Sequence, residues 1–525
     1  MIQTETLAKI FDLYKSTEGV SGKRPRSSRS EAPSGRRVTR QDVYRIVRSC
    51  VSPAAVSYLM RTTPTKHTLP HVDGLEDTIF ALLHAIIKAD APNESAPDIE
   101  RRAIAKLITK LPARRGGLGL GDLAATASSA FVGSVALTGH IVKGFLELDA
   151  NPTRFAPDAD TARLFPDVAA AFSDGSIHRI QKYAGKPISE FLDTKVTRVQ
   201  HTLSSLAAKT AQTVIHERIE QPDDKAFFLS GGDEGAYWLM NAGSFKTRAL
   251  TDSEFSVLVK ARLGLRTVTG CSAPTPCPRC THAPGTAPQL IGPSGTHILT
   301  CTEGGKGGAR GQRNIRHALV KEGVRSSMVD TARSSTAVPA GEPFVSDHFP
   351  TKDGVALKKD SEKNRADITG IYMGRTILID TVVCHPTVRS NKGVSTKPGL
   401  AADDAFKRKE LQYGKLFDIP VGSLVPFAVE TGGRWHPAAR DFVKRWVKFG
   451  MAIGENHEPD LMNPVVRETY AARIAAFRAN VSLALAIAVA NTLLYGADHL
   501  SKGNVVLPPD DTSPDEDLDE DALAL

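Results

Sequence analysis

Cysteine is sparse in this chain, with six in 525 residues. That excludes a disulfide scaffold, because such proteins are small and cysteine-dense. No uninterrupted apolar run reaches the ~20 residues that a membrane-spanning helix needs. The nearest approach, Val481 to Tyr495 (VSLALAIAVANTLLY), is short and carries Asn491. It reads as a buried helix, and no membrane role is expected. The opening residues, MIQTETLAKIFDLYKS, lack the apolar core and cleavage site of a secretory signal. A soluble, intracellular protein is the expectation.

What is present is ordinary in proportion and uneven in placement. Hydrophobic residues make up 41% and charged residues 24%, and the net charge is +8. The last residues, PPDDTSPDEDLDEDALAL, are strongly acidic, so the remaining body is more basic than the total suggests. A basic body attracts polyanions such as nucleic acid. Gly22 to Arg37 (GKRPRSSRSEAPSGRR) has the composition of a disordered basic arm, which could serve as a nuclear address. The length predicts several domains rather than one core.

From Val38 the pattern is helical. QDVYRIVRSCVSPAAVSYLMRTTP predicts two short helices broken at Pro53, and GLEDTIFALLHAIIKAD puts Ile79, Leu82, Leu83, Ile86 and Ile87 on one face. In LPARRGGLGLGDLAAT, Pro112 and the glycines interrupt the helix, and Asp122 is placed to cap the next. More helices are expected to about Lys260.

Four of the cysteines lie in one region: Cys271, Cys277, Cys280 and Cys301. Cys277 and Cys280, then sixteen residues, then His297 and Cys301, give C-x2-C-x16-H-x3-C. Zinc takes four such ligands tetrahedrally, and a closed set is structural rather than catalytic. The intervening THAPGTAPQLIGPSGT has no core of its own, so metal would supply folding energy there. Cys271 and His282 are spare ligands. Arg262, Arg266, Arg279, Arg310, Arg313 and Arg316 flank the motif as a basic rim suited to phosphate.

Asn364 to Pro386 (NRADITGIYMGRTILIDTVVCHP) holds two apolar, β-branched runs around Met373-Gly374-Arg375. That predicts a hairpin. With the loop centred between Met373 and Gly374, Asp367 and Asp380 are opposite each other on one face. Facing like charges destabilise a sheet, and a divalent cation with oxygen ligands removes the penalty.

These residues bring a family into view. The CCHC motif and the RAD…IDTVV hairpin resemble the C-terminal portion of non-LTR retrotransposon (LINE-type) reverse transcriptase proteins of the restriction-like-endonuclease class. SPAAVSYLMRTTP, LPARRGGLGL and AFVGS resemble the thumb-like region of that family, and Arg316-His317 resembles the Arg-His pair that follows its CCHC motif. No Tyr/Phe-x-Asp-Asp motif is present, so no polymerase palm is expected. The resemblance implies a PD-(D/E)xK-type nuclease in which Asp367 and Asp380 bind Mg2+. Ala366 stands at the proline position and Val382 at the lysine position. The family displaces that lysine to the next helix, where DDAFKRKELQYGKL puts Ala405, Lys409 and Tyr413 on one face. Lys409 is the expected catalytic lysine and Lys407 the reserve. Glu430, in VPFAVETGG, is a third metal ligand or a strand-end polar residue, and Glu322 is a weaker acidic candidate. His385 reads as structural.

The expected fold is therefore α+β and multidomain. It comprises an N-terminal helix and basic arm (1–44), a helical thumb-like region (45–260), a CCHC zinc linker (261–310), a PD-(D/E)xK-like endonuclease with a mixed sheet (311–450), C-terminal helices (451–507) and an acidic tail (508–525). The implied activity is Mg2+-dependent nicking of DNA for target-primed reverse transcription in the nucleus. Its partners would be target DNA and element RNA, and Arg279, Arg313, Arg316 and His317 would contact nucleic acid. Val382 keeps a competing reading open, a zinc-containing binding remnant without cleavage.

Overall fold

The computed structural model describes residues 38–501, apart from 52, 90–95, 150–156, 194, 233, 241–248, 268–274, 278–289, 293, 302–308, 332–337, 339–340, 356–364, 373, 388–396 and 452–458. The basic arm and the acidic tail lie outside the described residues.

The chain is mostly helical, with a small three-stranded mixed sheet. Helices α1 (Arg40–Cys50), α2 (Pro53–Thr62), α3 (Thr65–Ile86), α4 (Ala96–Lys110) and α5 (Leu123–Asp149) lead off. Thr39 and Asp42 form a reciprocal capping box that starts α1. Asp122 Oδ1 accepts from Ala125 N at 2.8 Å, which starts α5 as expected. The predicted face of α3 is buried at Ile79, Leu82, Leu83 and Ile86, with Ile87 just beyond. Short helices α6 (Pro157–Leu164) and α7 (Pro166–Ser173) and the longer α8 (Val199–Arg218) close a small core with α5 around Tyr183 and Phe191. Then come α9 (Pro222–Leu229), a 3₁₀ turn at Glu234–Leu239, and α10 (Asp252–Arg262).

Two strands of two residues, β1 (Thr275–Pro276) and β2 (Leu290–Ile291), pair antiparallel beside the cysteine motif. Helix α11 (Ala309–Thr331) leads to the hairpin β3 (Ile368–Tyr372) and β4 (Arg375–Cys384). Its register pairs Ile368 with Ile379 and Tyr372 with Arg375, the register that follows from a loop centred between Met373 and Gly374. Gly374 holds φ at 72°, a left-handed value that suits glycine in so short a turn. Helix α12 (Leu400–Leu416) crosses to β5 (Leu424–Glu430), which lies parallel to β4.

The sheet's two faces follow the period of two. Ile377 and Ile379 of β4, with Val425, Phe427 and Val429 of β5, join the principal core. Leu378 and Cys384 of β4 and Ala428 of β5 lie instead under α12, against Tyr413, Phe417 and Ala401, Ala402 and Ala405. Asp380 therefore faces α12.

Helix α13 (Pro437–Met451) covers the other face, and α14 (Pro464–Ser501) follows. At 38 residues α14 is much longer than the apolar stretch that announced it. Leu123–Phe145 and Pro464–Gly496 are both long and apolar enough to cross a membrane. In α14, however, every residue from Val481 to Ala490 is buried in protein, against α10, α11, α13 and the turn at Glu234–Leu239. A helix enclosed all round is apolar all round. One core thus runs from Val43 through the sheet to Leu493. Gly235 and Gly433 meet within it so closely that a methyl on Gly235 would lie 2.0 Å from Gly433 Cα.

Candidate functional site

Strand β4 overruns its partner. The β3–β4 ladder begins at Ile368 and Ile379, so Asp380 to Cys384 continue with no β3 residue beside them. Edge backbone groups need partners, and at Thr381 two side chains supply them. Thr381 N donates to Asp367 Oδ2 at 2.6 Å, and Thr381 O accepts from His317 Nε2 at 2.9 Å. His317 Nε2 also lies 3.1 Å from the same Asp367 oxygen. A carbonyl can only accept, so Nε2 carries the hydrogen. The hydrogen bond to Asp367 raises the His317 pKa above its usual value, against the opposing pull of burial.

The ladder's register carries on to place Asp367 beside Asp380. Burial first, and then the Asp367 carboxylate, push the Asp380 pKa upward, while Lys409 opposes them. Lys409 Nζ, reaching down from α12, is 2.8 Å from Asp380 Oδ2. One turn on, the Tyr413 hydroxyl donates to Arg365 O at 2.6 Å, and its ring centre is 5.7 Å from Lys409 Nζ. The structure thus assembles two carboxylates, an amine, an imidazole and a phenol. Lys407 points into solvent. Val382 packs under α12. Tyr413 had only its helical spacing to single it out, and its contact with the strand needs the tertiary fold.

The other acidic candidates fall elsewhere. Glu322 is exposed and paired with Arg325 at 2.7 Å. Glu430 lies opposite Cys384 in the β4–β5 ladder, whereas Asp380 lies opposite Pro426. Four residues of strand separate them, about 13 Å. Instead, Glu430 Oε1 accepts from Ala401 N at 3.1 Å and Ala402 N at 3.3 Å, at the first turn of α12. It is a strand-end residue that caps a helix.

Burial holds Glu430 up at about 7, against an ordinary 4.5. Between those values the folded chain keeps a proton that the unfolded chain has released. Stability therefore falls as pH rises through that window, by up to about 3 kcal/mol from this group. Glu430→Gln keeps an oxygen for the helix and removes the titration. Urea unfolding at pH 5 and pH 8 should show a smaller loss of stability in the variant than in the parent. An equal loss in both would refute the assignment.

His385 is 2% exposed, with Nδ1 2.6 Å from Thr431 Oγ1 and its ring stacked on Phe227. Burial lowers its pKa well below the usual value, so it is a neutral core residue.

The second group is Cys277, His297 and Cys301, all buried, with ligand atoms within 4.8 Å of one another. The two sulfurs are 3.8 Å apart, too far for a disulfide. That spacing matches the edge of a tetrahedron with metal–sulfur bonds of about 2.3 Å. These three residues could hold a metal ion. Cys280, Cys271, His282 and Arg279 lie outside the described residues, as does the side chain of Arg310.

The basic rim needs correction. Arg316 is 2% exposed, and its terminal nitrogens donate to Leu299 O at 3.3 Å. Arg262 is likewise buried and bonds Gly117 O at 2.9 Å and Ala113 O at 2.7 Å. Both are spent on backbone carbonyls and do not face a phosphate. Arg266 pairs with Asp98 at 2.6 Å, and Arg313 is half-buried. No protein-family model, curated protein or solved structure matches this chain.

Proposed function

We propose that this chain is the C-terminal portion of a non-LTR retrotransposon protein whose restriction-like endonuclease nicks DNA. The observation that carries this reading is the Lys409 amine beside Asp380. It supplies from α12 the cation that β4 lacks at Val382, on the same face as the carboxylate pair.

The donor set suits Mg2+. Asp367 and Asp380 offer hard oxygen ligands, and the repulsion from Asp367 that adds to burial in raising Asp380 is what a divalent cation would relieve. When bound, Mg2+ polarises a phosphate and lowers the pKa of a bound water. Asp367 and Asp380 would hold the ion, and Lys409 would steady the attacking water or the developing charge. Zinc is the reading for the cysteine group, with Cys280 as the fourth ligand to Cys277, His297 and Cys301. The basic body and the arm before Val38 would hold target DNA and element RNA in the nucleus.

The test is conversion of supercoiled plasmid to nicked circles by the zinc-loaded chain in Mg2+. Asp367→Ala and Asp380→Ala are run alongside, with zinc content measured for each. Nicking by the parent and not by the folded variants is the expected result. A folded, zinc-loaded chain that shifts DNA in a gel but leaves plasmid intact would instead be a binding remnant.

A further inference from the structure

Asp367 has two carboxylate oxygens, and the structure treats them differently. Oδ2 accepts from Thr381 N and meets His317 Nε2. Oδ1 makes no hydrogen bond among the described residues. An Asp side chain at a strand end can change rotamer at χ1 and swing broadly about χ2 unless something holds it. Here the holding comes from the overrun of β4 and from one imidazole that grips the Thr381 carbonyl and the carboxylate together.

The imidazole is itself anchored. Its neighbour Arg316 is buried and bonded to Leu299 O, which ties this part of α11 to the turn at Thr296–Leu299. Lys321, one turn further on, is tied to Glu342. His317 therefore approaches the sheet edge from a helix pinned on both sides of it.

We propose that His317 is a positioning residue, locking Asp367 so that one oxygen is spent on the sheet edge and the other is presented beside Asp380 to a divalent cation. This rests on the reading of Asp367 as a metal ligand, and it adds a residue that touches neither ion nor phosphate. Groups that orient metal ligands in this way are worth about 10–100-fold in metal affinity. The side chains that could replace His317 are narrowly defined. A glutamine carries an N–H at about the reach of Nε2, whereas an asparagine falls one bond short.

The test is a calorimetric titration of the zinc-loaded full chain with Mn2+, a spectroscopically convenient stand-in for Mg2+. The parent is compared with Asp367→Ala, His317→Ala, His317→Asn and His317→Gln, with a thermal unfolding curve for each. The parent should bind Mn2+ at a site that Asp367→Ala abolishes. His317→Ala and His317→Asn should weaken that binding about 10–100-fold, and His317→Gln should recover most of the loss. A merely structural histidine would shift the unfolding curve and leave the Mn2+ affinity of the folded fraction alone. The asparagine variant serves as the reading should the alanine variant not fold.

Equal Mn2+ affinity in the parent and the folded His317→Asn chain would overturn the proposal, as would a parent with no Asp367-dependent Mn2+ site. Should the affinities follow the expected order while plasmid stays intact, the positioning role stands and the nuclease reading alone falls.

Discussion

Stripping the metal from the Cys277–His297–Cys301 group is expected to unfold the surrounding region. Structural zinc contributes on the order of 10 kcal/mol in small sites, comparable with the ~5–15 kcal/mol that holds a whole domain together. Among the described residues, little regular structure there could substitute. Strands β1 and β2 are two residues each, below what a hairpin needs to stand alone. An ion would join the buried Cys277, His297 and Cys301 side chains, which come from both sides of the 278–289 stretch, into one cross-link.

The damage should not stay local. Cys277, Ile291, Ile298, Leu299 and Cys301 belong to the principal core. Arg316 is bonded to Leu299 O, and a methyl on Gly496 of α14 would come within 2.3 Å of Ile298. The measurement is thermal unfolding followed by near-ultraviolet circular dichroism, with and without a strong chelator. Bound metal is assayed in each sample, and zinc is added back. Superimposable curves, with metal removed in one sample, would end the zinc reading. Cys301→Ser should mimic the chelator.

The second large effect is expected at Lys409. Lys409→Ala should slow nicking about 10²–10³-fold, the usual loss when one positioned donor to developing charge is removed. Asp380→Ala, which also removes a metal ligand, should cost at least as much. Lys407→Ala should cost nothing measurable, because Lys407 faces solvent two residues away.

Stability separates the roles. Asp380 is 3% exposed and loses its cation in Lys409→Ala, so that variant should be destabilised unless Asp380 is protonated. Asp380→Asn combined with Lys409→Met should recover stability and leave nicking absent. Quenched-flow or gel-based nicking rates, set beside denaturant unfolding, read both effects. Full nicking by Lys409→Ala would remove this lysine from the chemistry.

How much of this was legible beforehand depends on how local each feature is. The hairpin register was readable because two β-branched runs and one well-placed glycine leave little freedom in a short turn. The approach of Lys409 to the sheet was readable because Ala405, Lys409 and Tyr413 share a helical face, and two of the three are apolar enough to bury. Asp122 announced a helix start through chemistry confined to a few residues.

Arg262 and Arg316 were misread for the opposite reason. An arginine in a glycine-rich or polar stretch looks like surface, and nothing nearby reveals that a distant carbonyl will meet it. His317 was read as half of an Arg-His pair and as a nucleic-acid contact, whereas its Nε2 meets Asp367 and the Thr381 carbonyl. Its contact with Thr381 exists because β4 outruns β3, a fact about two strands some fifty residues away. The reach of α14 was hidden because its first half is polar and half-exposed, and only Val481 to Ala490 carries an apolar signature. That one core would join α1 to α14 was not visible in any window of sequence.

The shared core also orders events during synthesis. Trp238 N donates to Ser482 Oγ across 244 residues of chain. At ~5–20 residues per second on the ribosome, about 10–50 s separate the arrival of those two partners. Throughout that interval α10 and the turn at Glu234–Leu239 lack the helix that covers them, and their apolar surface is open to chaperones or to neighbouring chains. The turn at Glu234–Leu239 is thus made well before the helix that completes its burial.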